Sequence, residues 1–198
     1  MKAKCLTLLL LFTSCLYSQS VNEKNSKYYR IAISNSQTAK PFSKLSALFY
    51  KDFHPGVEIG YGKNIKTRQH HEWLAEVTLS YLFHRWVQHN IALSIHGGYR
   101  HFITSSWSGT AKLGTGFQIS IPTQKIFSIT DNGLKDDGHI VRPQLTATLG
   151  FGVDKKINSR GTKLFMEYQQ KVQTTFIKEY VPLLPYNSIM LGMTLPVQ

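Results

Sequence analysis

The sequence predicts an all-β chain: a closed, antiparallel, eight-stranded transmembrane β-barrel. Three observations carry that expectation. Apolar and polar residues alternate with period two along most of the chain, the mark of strands with two unlike faces. The polar face is built from glycine, serine and threonine, not from the lysine and glutamate of a water-facing sheet. The connections also sort by length, short at one end of the strands and mostly longer at the other, as in membrane barrels.

The first twenty residues stand outside the barrel. Lys2 and Lys4 precede the apolar run LTLLLLF and the small, polar run TSCLYSQS. A basic start, a short apolar core and a small-residue exit describe a secretory signal peptide. Cleavage after Ser20, with Ser18 at the third position back, assigns residues 1–20 to the signal and 21–198 to the barrel. Cleavage after Gln19 is the near alternative. LFTSC also has the look of a lipobox, which would make Cys15 an acylated first residue. Both cysteines, Cys5 and Cys15, fall in this segment. A chain cut after Ser20 then has no disulfide, thiolate metal site or cysteine nucleophile.

KYYRIAISNS, whose alternation is weak, is the expected first strand. Val57, Ile59 and Tyr61 alternate with Glu58, Gly60 and Gly62 in the second. Ala75, Val77, Leu79, Tyr81 and Phe83 alternate with Glu76, Thr78, Ser80 and Leu82 in the third. The fourth sets Ile91, Leu93, Ile95, Gly97 and Tyr99 against Ala92, Ser94, His96, Gly98 and Arg100. The fifth to eighth centre on Leu113–Ile121, Leu145–Val153, Leu164–Val172 and Ile189–Val197. The short connections are then residues 66–71, 104–108 and 156–162. The long ones are 37–56, 122–141 and 176–186, with HRWVQH a short exception among them.

Glycine on an open solvent face weakens a strand and offers nothing to pack. Inside a narrow barrel it makes room for large side chains opposite, and eight strands leave an interior that side chains fill. The apolar face therefore meets lipid, and closure satisfies every backbone donor and acceptor in hydrocarbon. Aromatic residues are expected to ring both interfaces. Trp73, Tyr99, Trp107 and Phe151 fall near the short turns; Tyr81, Phe83 and Trp86 fall near the loops.

The inward parity also collects charge. Glu76, Arg100, Lys112, Asp154 and Glu167 come to similar depth in the half nearest the short turns. Buried charges must be paired or cost several kcal/mol, so these five are expected to form an ion-paired plug. Glu76, on the neighbouring strand, is the expected partner of Arg100, with Asp154 and Glu167 next. A narrow ion path is the competing reading.

The stretches KDFHPGVEIGYG, YLFHRWVQHNIAL, GYRH and EYVPLLPYNSIMLGMTLP carry a resemblance. The chain resembles small eight-stranded outer-membrane barrels of Gram-negative bacteria, the OmpA/OmpX-type class, and most nearly a largely uncharacterised group within it. The resemblance implies a multi-pass barrel in the outer membrane, amid its lipid and lipopolysaccharide, with the long loops outside the cell. Many such barrels end in phenylalanine, whereas this sequence ends TLPVQ.

Chemistry is sparse. Eight histidines occur, but His70 and His71 are adjacent and so point opposite ways in an extended chain, and none matches a metal-ligand spacing. His84 and His89 bracket a short loop, where a solvated interfacial role is expected. Pro55 and Gly56 in FHPG read as a turn into a strand; His54 as a general base would need a nucleophile and an orienting acid, and only Asp52 is near in sequence. No Gly-x-Ser-x-Gly elbow, phosphate loop or HExxH is present. EYVPLLPY is expected to be an apolar loop, folded over the mouth or docking a partner.

The sequence thus assigns no catalytic residue, metal or cofactor. Its net charge of +12, or +10 without Lys2 and Lys4, favours anionic lipid or polysaccharide as neighbours. Nucleic acid is excluded by the secretory context. Two roles follow: a structural or adhesive barrel whose loops contact surface polysaccharide or protein, or a membrane-embedded lipid A-modifying enzyme of acyltransferase or deacylase type.

Overall fold

A computed structural model describes residues 26–38, 47–50, 52–85, 87–123, 126–130, 133–138, 141–177 and 181–197. The expected signal segment and Trp86 lie outside the described residues. In chain order the elements are β1 (Lys27–Thr38), a single helical turn α1 (Ala47–Tyr50), β2 (Pro55–Thr67) and β3 (His71–His84). β4 (Gln88–Phe102), β5 (Trp107–Pro122), β6 (Ile126–Thr130), β7 (Gly133–Gly138), β8 (Arg142–Lys156), β9 (Lys163–Ile177) and β10 (Val181–Pro196) follow.

Eight of the strands close a barrel in the order β1-β10-β9-β8-β5-β4-β3-β2. Every neighbouring pair is antiparallel, and β1 closes the ring by pairing with β10, Ile31 opposite Met193. The ladder partners of Lys27 can be followed round the wall through Lys63, Ala75, Gly97, Leu113, Leu149, Gln170 and Asn187. The row returns to β1 at Gln37, ten residues further on. That stagger tilts the strands by roughly 35–45° and leaves a lumen of side-chain width.

The burial is inverted relative to a water-soluble domain. Ile91, Leu93 and Ile95 point outward and are exposed, while Ser94, His96 and Arg100 of the same strand are buried. The small polar face is the inside because large neighbours need its space. The Tyr28 ring lies over the hydrogens of Gly62, and Glu167 and Lys112 close on Gly150. The buried set is mostly polar, so the fold is held by the ladder, by lumen pairing and by lipid against the outer wall.

The short turns lie where the sequence places them, at residues 68–70, 103–106 and 157–162, and the first residues of β1 and the last of β10 share that end. The opposite end differs in two places. Residues 122–141 are not one open loop: β6 and β7 form a two-stranded hairpin beyond the barrel wall, turning at Gly133 with φ 107°. Within residues 176–186, the described residues 176–177 and 181–186 are strand. β9 runs to Ile177 and β10 starts at Val181, so only residues 178–180 connect them. Most of EYVPLLPY is therefore strand. Its register shifts between Val181 and Leu183, and Tyr186 is turned inward and buried. The two prolines hid the strand, since proline is expected only at edges and irregularities.

Space, rather than glycine as such, decides tolerance on the neighbouring strands β4 and β5. We expect Gly114→Val, whose added carbons would run into His96 and the Ile95 carbonyl, to destabilise the barrel by about 1–3 kcal/mol. Gly97→Ala, where an added carbon meets nothing within 4 Å, should shift stability by less than about 0.5 kcal/mol. Urea unfolding in lipid vesicles separates the two.

Candidate functional site: a charge-paired lumen

The candidate site is the lumen itself, and it is layered. Nearest the short turns, the Arg100 guanidinium donates to Glu72, to Thr110 Oγ1 at 3.2 Å, and lies 3.4 Å from Asp154. Thr110 in turn donates to Asp154, and Lys163 Nζ stands 3.7 Å from Glu72. Register explains the set: Glu72 is the direct ladder partner of Arg100, and Thr110 is its partner on the other side. Arginine presents five donors in a fixed fork, so one guanidinium holds three neighbours.

Arg100 thus pairs with Glu72 and not with Glu76. Glu76 sits four residues further into the barrel opposite His96, beyond reach across a tilted ladder. Its carboxylate accepts from Lys112 Nζ at 2.7 Å and from the Tyr28 hydroxyl at 2.7 Å. Glu72 shares Glu76's inward parity, but its place beside the His70–His71 pair made it look like a turn residue.

The middle layer is continuous. Lys112 Nζ also stands 3.1 Å from Glu167, which accepts from Arg30 Nη2 at 2.9 Å. Arg30 Nε donates to Glu58 at 3.0 Å, and the guanidinium lies 3.7 Å from the centroid of the Phe165 ring. All of these side chains are buried. Arg30, Glu58 and Phe165 complete the layer although sequence reasoning did not select them. Arg30 was legible only through the weak alternation of β1, and Phe165 only through its inward parity.

Toward the loops the charges give way to amides. Gln88 donates to Gln173 and to the Tyr186 hydroxyl, each at 2.9 Å, while Gln118 donates to Gln173 at 2.6 Å and to Gln144 at 3.3 Å. Four inward glutamines near four strand ends were the available signal. A space of about 30 Å³, bordered by Glu58, Lys171, Asn90 and Gln118, separates this belt from the charged layer. It has room for roughly one or two waters.

Above the belt, the His54 and His84 rings stack at 3.7 Å between centroids and 9° between planes, with Tyr186 edge-on to His84 at 6.1 Å. Both rings are buried, so His84 is not the solvated residue the sequence suggested. His54 lies just before β2. Its Nδ1 faces the Ser36 carbonyl at 3.1 Å, and its backbone N–H donates to Asn35 Oδ1 at 2.9 Å. Asn35 Nδ2 and Gln37 Nε2 donate to the Leu48 and Asp52 carbonyls. These bonds strap the β1–β2 connection to the rim. Burial lowers the pKa of His54, against smaller opposite effects of Ser36 and Asp52.

On the outer wall Trp73, Trp107, Phe151 and Tyr81 are exposed, and Tyr99 and Phe83 are half-exposed. Trp73 and Tyr99 are ladder partners, edge to face at 5.2 Å. At the other end the Tyr81 hydroxyl is 2.8 Å from His89 Nδ1, and Phe83 lies 4.8 Å from the His89 ring. His71 packs beside Tyr99 at 5.4 Å. Among the described residues no three His, Cys, Asp or Glu side chains gather in a metal-binding cluster.

Two outcomes follow from this geometry. Arg100→Leu strands Glu72 and Asp154 and should cost about 3–5 kcal/mol in urea unfolding with lipid. Adding Glu72→Gln should recover part of that loss, whereas adding Glu76→Gln should only add to it. The strap should also respond to acid. His54 resists the proton that its unfolded counterpart accepts below a pH of about 6.5, so its contribution is present above that pH and is lost as pH falls. The parent should lose more stability between pH 7.5 and 5.5 than His54→Phe, which keeps an aromatic ring.

No family model and no curated protein matches the chain. Its fold is nevertheless that of solved membrane barrels. Neisserial surface protein A is 9% identical over 87% of this chain and 99% of its own, with a TM-score of 0.52. The Yersinia pestis attachment invasion locus protein Ail, solved with the heparin analogue sucrose octasulfate, is 12% identical over 88% of this chain and 99% of its own, at 0.51. The outer-membrane enzyme PagL is 9% identical over 86% and 99%, at 0.50. What this chain shares with them is the architecture of a small eight-stranded outer-membrane β-barrel.

Proposed function

We propose that this chain is a non-conducting outer-membrane β-barrel with a structural or adhesive role, its loops contacting lipopolysaccharide and a surface polysaccharide or protein. One observation supports the reading most. Arg30, Lys112 and Arg100 lie within two connected sets of ion pairs that cross the lumen, and the glutamine belt closes it above them. A passage for ions would need these pairs to part, and a separated buried pair costs several kcal/mol. The plug residues proposed here are Glu76, Arg100, Lys112, Asp154 and Glu167, joined by Arg30, Glu58 and Glu72. The aromatic girdle proposed to mark the two interfaces is Trp73, Tyr99, Trp107 and Phe151 at the turns, with Tyr81 and Phe83 at the loops.

The lipid-modifying alternative needs an outward histidine with a nucleophile beside it. His89 faces outward near the loops, but its Nδ1 is engaged by the Tyr81 phenol.

The expected results are recovery from the outer-membrane fraction of the envelope and no steady conductance of the purified chain in a planar bilayer. The double variant Arg30→Ala/Lys112→Ala should open measurable conductance. A parent that conducts like an open pore, or a chain recovered from the soluble periplasm without detergent, overturns the reading.

A further inference from the structure

Among the described residues the outer wall carries a depression across β2 to β5. Along a single ladder row, Lys63 of β2 is followed by Ala75 of β3, Gly97 of β4 and Leu113 of β5, all facing outward. The two small residues leave a groove of about 690 Å³, in the size range of ligand sites. Its floor at Gly97 is open, because an added Cβ there would touch nothing within 4 Å. Trp73 and Tyr99 stand in the next row toward the turns; Tyr61, Val77 and Ile95 border it toward the loops.

The groove is not level in the membrane. The row that contains it gains ten residues in one circuit, so each step from β2 toward β5 climbs by about 3 Å for strands tilted roughly 40° and spaced about 4.8 Å apart. Lys63 is therefore its end nearest the short turns, and Leu113 lies deepest in the apolar band. Charge gathers at the Lys63 end. Lys27 is the ladder partner of Lys63 and is likewise exposed, and Lys66 and Arg68 lie at the same end of β2. The two described acids there, Glu72 and Asp154, are buried against Arg100.

We propose that this groove binds an anionic phospholipid. One acyl chain lies over Ala75 and Gly97 toward Leu113, and the headgroup phosphate sits between the ammonium groups of Lys63 and Lys27. Any lipid coats an apolar wall. Here a depression of acyl-chain character leads away from paired cations at interfacial depth, and that combination selects for negative charge at the headgroup. The inference rests on the membrane-facing wall and stands apart from the proposed plug and loop functions.

The test is native mass spectrometry of the purified barrel with dioleoyl-phosphatidylglycerol and dioleoyl-phosphatidylcholine as probes. The parent should retain the phosphatidylglycerol preferentially, and Lys27→Gln and Lys63→Gln should each weaken that preference by about fivefold. Gly97→Leu should fill the groove and lower retention while heat-modifiable gel mobility stays that of the folded barrel. A phosphatidylglycerol carrying a photoactivatable acyl chain should label the peptide around Gly97 in the parent, which needs no variant to fold. Equal retention of both lipids by the parent, a preference untouched by either lysine change, or label spread evenly round the wall overturns the site. So does a parent dimer in light scattering that Gly97→Leu dissolves, since the groove would then seat a second copy of the chain.

Discussion

Ion pairing in a lumen of side-chain width is the constraint on which the rest of this barrel depends. Arg30 binds Glu58 and Glu167, Glu167 binds Lys112, and Lys112 binds Glu76, so that one chain of contacts ties β1, β2, β9, β5 and β3 together. Charges this deep are tolerable only when each finds a partner and spare donors are satisfied. The Phe165 ring beneath Arg30, and the Tyr28 phenol on Glu76, supply the remaining contacts. Once the pairs are set, the inward glycines are needed as space. Tyr28 over Gly62 and Glu167 over Gly150 leave no room for a β-carbon.

The outside obeys the opposite rule. Hydrocarbon rewards the removal of every polar group from the wall, and the outward positions of β4 are Ile91, Leu93 and Ile95. Toward its ends the wall carries Trp73 and Tyr99 at one end and Tyr81 with His89 at the other. Lys27 and Lys63 lie at the turn end, where a long stem can stay in the apolar layer with its charge at the surface. The same strands therefore serve two solvents, and period-two alternation divides them.

The mouth follows a third logic. The glutamine belt and the stacked His54–His84 rings close the loop end without net charge at neutral pH. The strap from Asn35 and Gln37 to the backbone at Leu48 and Asp52 holds His54 in place. Hydrogen bonds between amides are directional but individually weak, about 0.5–1.5 kcal/mol net. This end is accordingly held by weaker individual interactions than the ion-paired layers.

Alternation, the small-residue faces and the sorting of connection lengths determined an eight-stranded barrel and the inner face of its strands, and they placed Glu76, Arg100, Lys112, Asp154 and Glu167 inside but not Arg30, Glu58 or Glu72. These are local properties: parity follows from the pleat, and the small-residue face can pack only against large lumen side chains. The partner of Arg100 was not local. Register and stagger chose Glu72 over Glu76, and they alone brought Glu58 and Glu167, from distant parts of the chain, to Arg30. The loop-side half of β10, before the predicted Ile189–Val197 stretch, was masked by Pro182 and Pro185, whose missing N–H groups argue against a ladder; the register shift falls between Val181 and Leu183, while Pro185 pairs with Val172. The His54–His84 stack needed the β2–β3 register, which carries His54 opposite His84, and the groove over Gly97 needed four neighbouring strands and their tilt. Sequence sets the side to which each residue points; only the closed, staggered ladder sets which residue it meets there.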